Sequence, residues 1–514
     1  MANRIYIVLL LLWAFLLCCQ AGSDKPAPAP ETVVRPPTVA GQFYSANAER
    51  LELGIRNYLA DAVPVKVEKP VGIVVPHAGY IYSGQICADG FNQAKNQVYD
   101  IIVILGTNHT TAGFTGVSIY AKGAFKTPLG TTDIDEPLAE TLLGLDENYT
   151  FNKSVHTEEH SVEVELPFVQ VLFPGVKILP VVIGAPDLKL CVKFGNDLAA
   201  VLKDRNPLIV ASSDLSHYPS YQDAVETDRA TLEAIACCEA EQVHRATEGQ
   251  MSKGVGNLST CACGEGPIMA CITASKALGA NNAAIISYAN SGLVAIGDID
   301  RVVGYGAVAF SKTPALEPPD PWYIIQSKPL PTPIPTFEKK QLLALARKTI
   351  RWYLESETLP LPRDCSPMLS TPRGAFVTLN KHGELRGCIG HMAEDTPLKS
   401  VIGQMAIQSA FNDRRFSPVQ MEEVDDLEIE ISVLTPYQKV SSAEDIVIGR
   451  DGVLIRKNNR SAVFLPQVAT EQGWTREETL DHLCEKAGLP SDAWHSGTEF
   501  FVFQAEVFHE GEFK

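Results

Sequence analysis

In its first part the chain carries short, unbroken apolar runs rather than alternating ones. VGIVV (71–75), IIVIL (101–105), ILPVVI (178–183) and LIVA (208–211) are rich in β-branched residues, and AAIISYA and GYGAVAF follow later. Helical stretches separate them. A strand that is apolar on both sides is buried on both faces, which predicts an α/β fold: a largely parallel sheet between helix layers. The pattern then changes. KTPALEPPDPWYIIQSKPLPTPIPTFE holds prolines 314, 318, 319, 321, 329, 331, 333 and 335. Such density excludes helix and central strand and predicts an extended linker behaving as a protease-sensitive hinge. Beyond it an amphipathic helix, FEKKQLLALARKTIRWYLE, precedes the strand patterns GAFVTLN, ELRGCIG, LEIEISVLTP and GVLIRKNNRSAVFLP, a separate α+β unit. The expected division is one domain over 36–312, a linker over 313–335 and a second domain over 336–514, with no internal repeat.

The N-terminus departs from this pattern. Arg4 precedes fifteen apolar residues, Ile5 to Cys19, and QAGSDKPAPAP follows. The run is short for a membrane span and fits the apolar core of a signal peptide, with cleavage near Ala21. Lipid attachment at Cys18 or Cys19 and an uncleaved membrane anchor are the other readings. All three export the body of the protein, to the periplasm or beyond. Residues 1–22 are thus assigned to a signal peptide or anchor, and 23–35 to a first linker.

Composition narrows the function. The chain has 514 residues and a net charge of −18, with no local basic patch, so nucleic acid is not an expected partner. No phosphate loop of the GxxxxGK type and no long heptad pattern occurs. The twelve cysteines do not space as a compact disulfide framework, although export permits disulfides.

The chemistry gathers where apolar runs end. VGIVV leads into Pro76-His77-Ala78-Gly79, IIVIL into Gly106-Thr107-Asn108-His109, and PLIVA into Ser212-Ser213-Asp214-Leu215-Ser216-His217. In a parallel sheet these turns share the carboxyl edge, where open α/β folds bind ligands. Three imidazoles and a carboxylate there predict a functional cluster. Cys263 joins them, just before Gly264-Glu265-Gly266-Pro267, where proline suits the first turn of a helix. A thiol near a helix N-terminus is expected to have a lowered pKa, and thiolate is the metal-ligating form. Neutral imidazoles with one anionic ligand suit a redox metal. HTEEH, His156 to His160, also matches the H-x-x-E-H pattern of zinc peptidases, although Pro167 suggests that it precedes the helix rather than lying on it.

PHAGYIYSG, ILGTNH, EEHSVEVELPF, SSDLSHY and CGEGPI, in that order, resemble the Memo family, relatives of the class III extradiol dioxygenases. The resemblance implies a Memo/extradiol-dioxygenase-like α/β domain. Its metal ligands would fall on His77, His109 and Cys263, with iron or copper as the ion. His160, Asp214 and His217 would line the pocket and act in catalysis on an unidentified small-molecule substrate. True extradiol dioxygenases carry a glutamate where Cys263 stands, which argues against catechol cleavage. The resemblance includes His160 but not His156, against the peptidase reading.

ELRGCIGH, AFNDRRFSPV, LEIEISVLTP and SAVFLPQVATEQGW are similar to the AMMECR domain, a family without an assigned activity. Arg386, Cys388 and His391 are a further candidate site there, against the simpler reading that Arg386 pairs with a carboxylate and Cys388 packs. The two families together imply a radical-SAM protein as partner. This chain lacks the Cys-x-x-x-Cys-x-x-Cys pattern of such a protein. Two functions compete: a metal-dependent oxidoreductase of dioxygenase-like type, or a metal-binding or scaffolding protein without turnover.

Overall fold

A computed structural model describes residues 33–316 and 320–513. The expected signal peptide or anchor and most of the first linker lie outside the described residues. Among the described residues no helix is long and apolar enough to cross a membrane.

The first domain is built on an eight-stranded sheet. In chain order its strands are β1 (Gly72–Val75), β2 (Ile101–Thr107), β3 (Val117–Ile119), β4 (Tyr149–Thr150), β5 (Ile178–Ile183), β6 (Pro207–Ser212), β7 (Asn282–Asn290) and β8 (Gly304–Ser311). They lie in the order β7-β8-β1-β6-β2-β5-β3-β4. The four central strands are parallel, and antiparallel pairs flank them on both sides. The unbroken apolar runs have a direct cause. Side chains of a strand alternate between faces: Ile102 and Ile104 enter the core on one side of the sheet, Ile101, Val103 and Leu105 the core on the other. Both faces are covered, so neither tolerates polar residues.

The registers Val75↔Ser212, Leu105↔Ala211 and Thr107↔Ile183 bring the carboxyl ends of β1, β6, β2 and β5 to one edge. Helix α1 (Tyr80–Gln93) follows the β1 turn, and α2 (Glu265–Ala277) starts against the same edge.

The second domain opens with helix α3 (Thr336–Ser356). Strands β9 (Ala375–Lys381), β10 (Glu384–His391), β11 (Leu427–Leu434) and β12 (Ala505–His509) form an antiparallel sheet ordered β10-β9-β11-β12, on which α3 and α4 (Leu398–Ile407) pack. His382 and Gly383 join β9 to β10, both with positive φ (54° and 83°), as a two-residue hairpin turn of primed type demands. A second sheet holds Gln438–Val440, Gly452–Lys457, Arg460–Phe464 and Glu499–Phe503.

The proline-rich segment corrects the expectation of a hinge. It lacks long regular elements, as its prolines require, yet it is docked. Ile324, Leu330 and Ile334 are buried, Trp322 packs on Tyr288 (5.1 Å between ring centroids), and Arg229 lies 4.1 Å over the Trp322 ring. The Lys399 ammonium, buried on α4, donates to the Ile324 carbonyl. Behind the linker, Arg363 grips the fully buried carboxylate of Asp89 on α1, and Lys348 pairs with Asp61 at 2.7 Å. Apolar residues between the prolines thus fasten the two domains together.

Candidate metal centre

His77 lies two residues beyond β1, and its ring is buried. The turn is fixed by Asp214, whose Oδ1 accepts the backbone N–H groups of His77 (2.9 Å) and Ala78 (3.1 Å). Below the ring, Ser212 Oγ is 2.8 Å from His77 Nδ1, 2.8 Å from Glu165 Oε1 and 2.6 Å from the Ser161 carbonyl. A hydroxyl has one proton and two lone pairs. The carbonyl can only accept, so it takes the serine proton. Ser212 then accepts from both other neighbours. This assigns a proton to His77 Nδ1 and another to Glu165, which burial pushes up to about 8. Nε2 of His77 is left bare, 3.2 Å from Cys263 Sγ.

His109, beyond β2, is set by a different device. Its backbone N–H donates to Glu159 Oε2 (2.6 Å) and its Nδ1 to Glu159 Oε1 (2.9 Å). Burial opposes the charge of Glu159, but the side-chain and backbone hydrogen bonds from His109, together with the charge interactions of His109 and His160, outweigh it and hold the carboxyl down to about 2. Nδ1 is the protonated nitrogen once more, and Nε2 is free. A carboxyl or hydroxyl behind each imidazole is the usual support of a metal ligand.

Cys263 stands just before α2, with Gly264 held by a hydrogen bond from its N–H to Ser213 Oγ (2.9 Å). The nitrogens of His77 and His109 and the sulfur of Cys263 all lie within 4.8 Å of one another. Two imidazoles and a sulfur donor fit a transition metal. Burial holds His77 neutral, its pKa well below the ordinary range. The thiol does not behave as its position before a helix suggested. Burial and the Asp214 carboxylate push its pKa up, and these outweigh the helix N-terminus. An incoming cation must therefore displace the thiol proton, so binding strengthens as pH rises.

The remaining expected residues surround this point. His160 stacks on His109 (4.5 Å between centroids) and meets His77 edge-on (5.4 Å). Burial lowers its pKa, and that of His217, to about 4. Burial raises Asp214 to about 7. His217 Nδ1 is buried without a hydrogen-bond partner, although its backbone is fixed by an N–H donated to the Thr260 carbonyl (3.0 Å). His77, His109, His160, Asp214 and His217 all line one cavity of about 540 Å³.

His156 does not join them. It is buried on the short helix Lys153–Thr157, with Nε2 3.0 Å from Ser118 Oγ and its ring against Tyr120. The two histidines of HTEEH thus serve different surroundings, and Glu159 between them is occupied in holding His109. The zinc-peptidase arrangement is not formed.

Arg386, Cys388 and His391 share β10 but not a site. Arg386 pairs with Glu423 (2.9 Å), Cys388 Sγ accepts from Thr378 Oγ1 (3.3 Å), and His391 pairs with Asp395 (2.7 Å). Sequence reasoning missed Glu159, Glu165 and Ser212. All three lie inside the quoted motifs, and Glu165 is the acidic residue of the largely apolar VELPFVQVLF, a signal of buried function.

Two family models match the chain: Memo-like protein over residues 35–309 and AMMECR1 over residues 343–508. A MEMO1 family protein of Methanobrevibacter smithii is 35% identical over 295 residues, 54% of this chain and 100% of that protein. One from Methanosarcina mazei is 37% identical over 278 residues, 54% of this chain and 98% of that protein. Among solved structures, an uncharacterized protein from Pyrococcus horikoshii is 41% identical, covering 33% of this chain and 89% of that chain, with a TM-score of 0.30.

Proposed function

The chain belongs to the Memo family through residues 35–309 and carries an AMMECR1 domain, and on that premise we propose that it is a metal-dependent oxidoreductase. One iron or copper ion would be held by Nε2 of His77, Nε2 of His109 and Sγ of Cys263. The observation that carries this reading is the shared approach of those three side chains, with Nδ1 of His77 engaged by Ser212 and Nδ1 of His109 by Glu159, which leaves Nε2 of each for the ion. When bound, such an ion supplies one-electron exchange and a Lewis-acid position facing the cavity.

The chain's own residues do the rest. Asp214 fixes the turn that aims His77, through two backbone N–H groups. His160 and His217 are held neutral by burial and line the cavity, so each can orient a small molecule there through a hydrogen bond from or to its ring nitrogens. Phe43, packed on His160 at 4.8 Å, and the buried Tyr305 give the cavity aromatic walls. The Arg4-led apolar run supports export of the body of the protein.

The test is elemental analysis of protein purified without added metal, followed by oxygen uptake in the presence of a reductant. About one iron or copper per chain and reductant-dependent uptake are expected. Stoichiometric metal without uptake supports a binding or scaffolding protein instead. Zinc as the native ion would overturn the redox reading.

A further inference from the structure

The outer wall of the metal cavity is not held by its own domain alone. Ser291, Ile296, Gly297, Asp298 and Arg301 form one side of the mouth. They lie in the connection between β7 and β8, which has one short turn of helix, Ser291–Leu293, and no strand. Leu293 and Val294 anchor its start in the first domain's core and the Ile299 carbonyl accepts from the Tyr221 N–H (2.9 Å), but no strand ladder holds the stretch between them. Helix α4 of the second domain packs directly on it. Ser400 Oγ donates to the Leu293 carbonyl (3.4 Å), and Gln404 Nε2 donates to the Gly297 carbonyl (3.1 Å). A Cβ at Gly403 would stand 3.2 Å from the Ala295 Cβ, so the glycine permits the close approach. Ile407 is buried with Ala295 and Leu359, flanked by Ile81, Tyr353 and Phe411. Residues 400, 403, 404 and 407 are one face of a helix. That face is spent on the wall of another domain's cavity.

A second part of the lining is also tied to the second domain. Tyr82, in the first turn of α1, lines the same cavity. The Leu359 N–H donates to Tyr58 Oη (3.4 Å), which donates to the Tyr80 carbonyl (2.7 Å) at the start of α1. Both parts of the lining are therefore tied to the second domain, while His77 and His109 sit on strand ends fixed by Asp214, Ser212 and Glu159.

We propose that the AMMECR1 domain supplies positioning residues for the metal cavity, with Gly403 and Gln404 setting the place of the 291–301 wall and hence the width of the mouth. The domain then acts on what enters the cavity and leaves the metal ligands alone. None of this depends on which metal binds.

The test uses the full chain, as native protein and as Gly403→Ala, Gly403→Phe and Gln404→Leu. Two readings are taken on metal-free protein: amide hydrogen exchange over 291–301, and acylation of His160 by diethyl pyrocarbonate relative to the exposed His382. Metal content is measured in parallel. In Gly403→Phe the wall amides should exchange at least about tenfold faster, and the His160 ratio should rise about fivefold, with exchange in β2 and β6 unchanged. Gly403→Ala should move both readings in the same direction by less. Gln404→Leu, which loses one hydrogen bond, should raise wall exchange by about fivefold. It decides the matter alone should Gly403→Phe fail to fold. Native-like exchange and His160 ratio in the variants, a uniform rise at every histidine, or loss of metal in step with the wall would each overturn the proposal.

Discussion

The two candidate clusters of this chain contain similar residue types and end very differently. In the first domain His77, His109 and Cys263 come from separate segments, and a parallel sheet delivers their ends to one edge. In the second domain Arg386, Cys388 and His391 are close in sequence, on one strand, where Cys388 pairs with Thr378 and His391 with Ala375 on opposite faces, and Arg386 falls at the register shift between them and the turn. Each then finds its own partner, Glu423, Thr378 or Asp395. Nearness along a strand disperses side chains, whereas distance along the chain, with a shared sheet edge, gathers them.

The largest expected contrast follows directly. Cys263→Ser and His77→Ala should each abolish stoichiometric iron or copper, while Cys388→Ser should leave the metal content of the full chain unchanged. His156→Ala should also keep its metal, since that ring faces Ser118 and Tyr120. Elemental analysis of the four proteins decides. Full metal in His77→Ala with loss in Cys388→Ser would invert the comparison.

A smaller effect probes what stands behind the gathered ligands. Ser212 Oγ holds the proton of His77 on Nδ1 in the core, whereas the carboxylate behind His391 is the exposed Asp395, at Nε2. Ser212→Ala should weaken metal binding by about 10–100-fold without unfolding the protein, the usual cost of losing a ligand's supporting group. Competition with a chelator of known affinity measures it. Affinity equal to native would mean that the Ser212 hydrogen bond does not set the ligating nitrogen.

How much of this was legible beforehand differs along the same lines. The central strands were readable because burial on both faces leaves an apolar run with no polar phase. The histidines after those runs were readable because a parallel sheet has only one carboxyl edge. Glu165 and Ser212 were not, because their role rests on a contact between β6 and a turn 47 residues away, which no local pattern encodes. The thiol of Cys263 was misjudged for a related reason. The helix after it is a local signal, but burial and Asp214 decide its proton, and both are tertiary. The linker failed in the opposite direction. Its prolines spoke clearly about secondary structure and not at all about docking, which Trp322 and Ile324 bring about.

The smallest expected effect lies in the second cluster and is one of stability rather than metal. Glu423 accepts from Arg386 Nε (3.1 Å) and Nη2 (2.9 Å), and from Lys381 Nζ (3.0 Å). The Arg386 hydrogen bonds hold its carboxyl down to about 2, against an ordinary value of 4.5. A carboxyl whose pKa is depressed by folding stabilises the folded state above the unfolded value, and that contribution is lost as pH falls from 4.5 towards 2. Solvent reaches the pair, so the contribution is discounted to about 1–2 kcal/mol. Glu423→Gln should therefore lower stability against urea by that amount at pH 7. The gap between native protein and variant should narrow below pH 4.5 and close near pH 2, with metal content at pH 7 the same in both. A gap that persists at pH 2 would mean that Glu423 acts through packing and not through its charge. Loss of metal in Glu423→Gln would instead tie the dispersed cluster to the gathered one, and the contrast between them would fall.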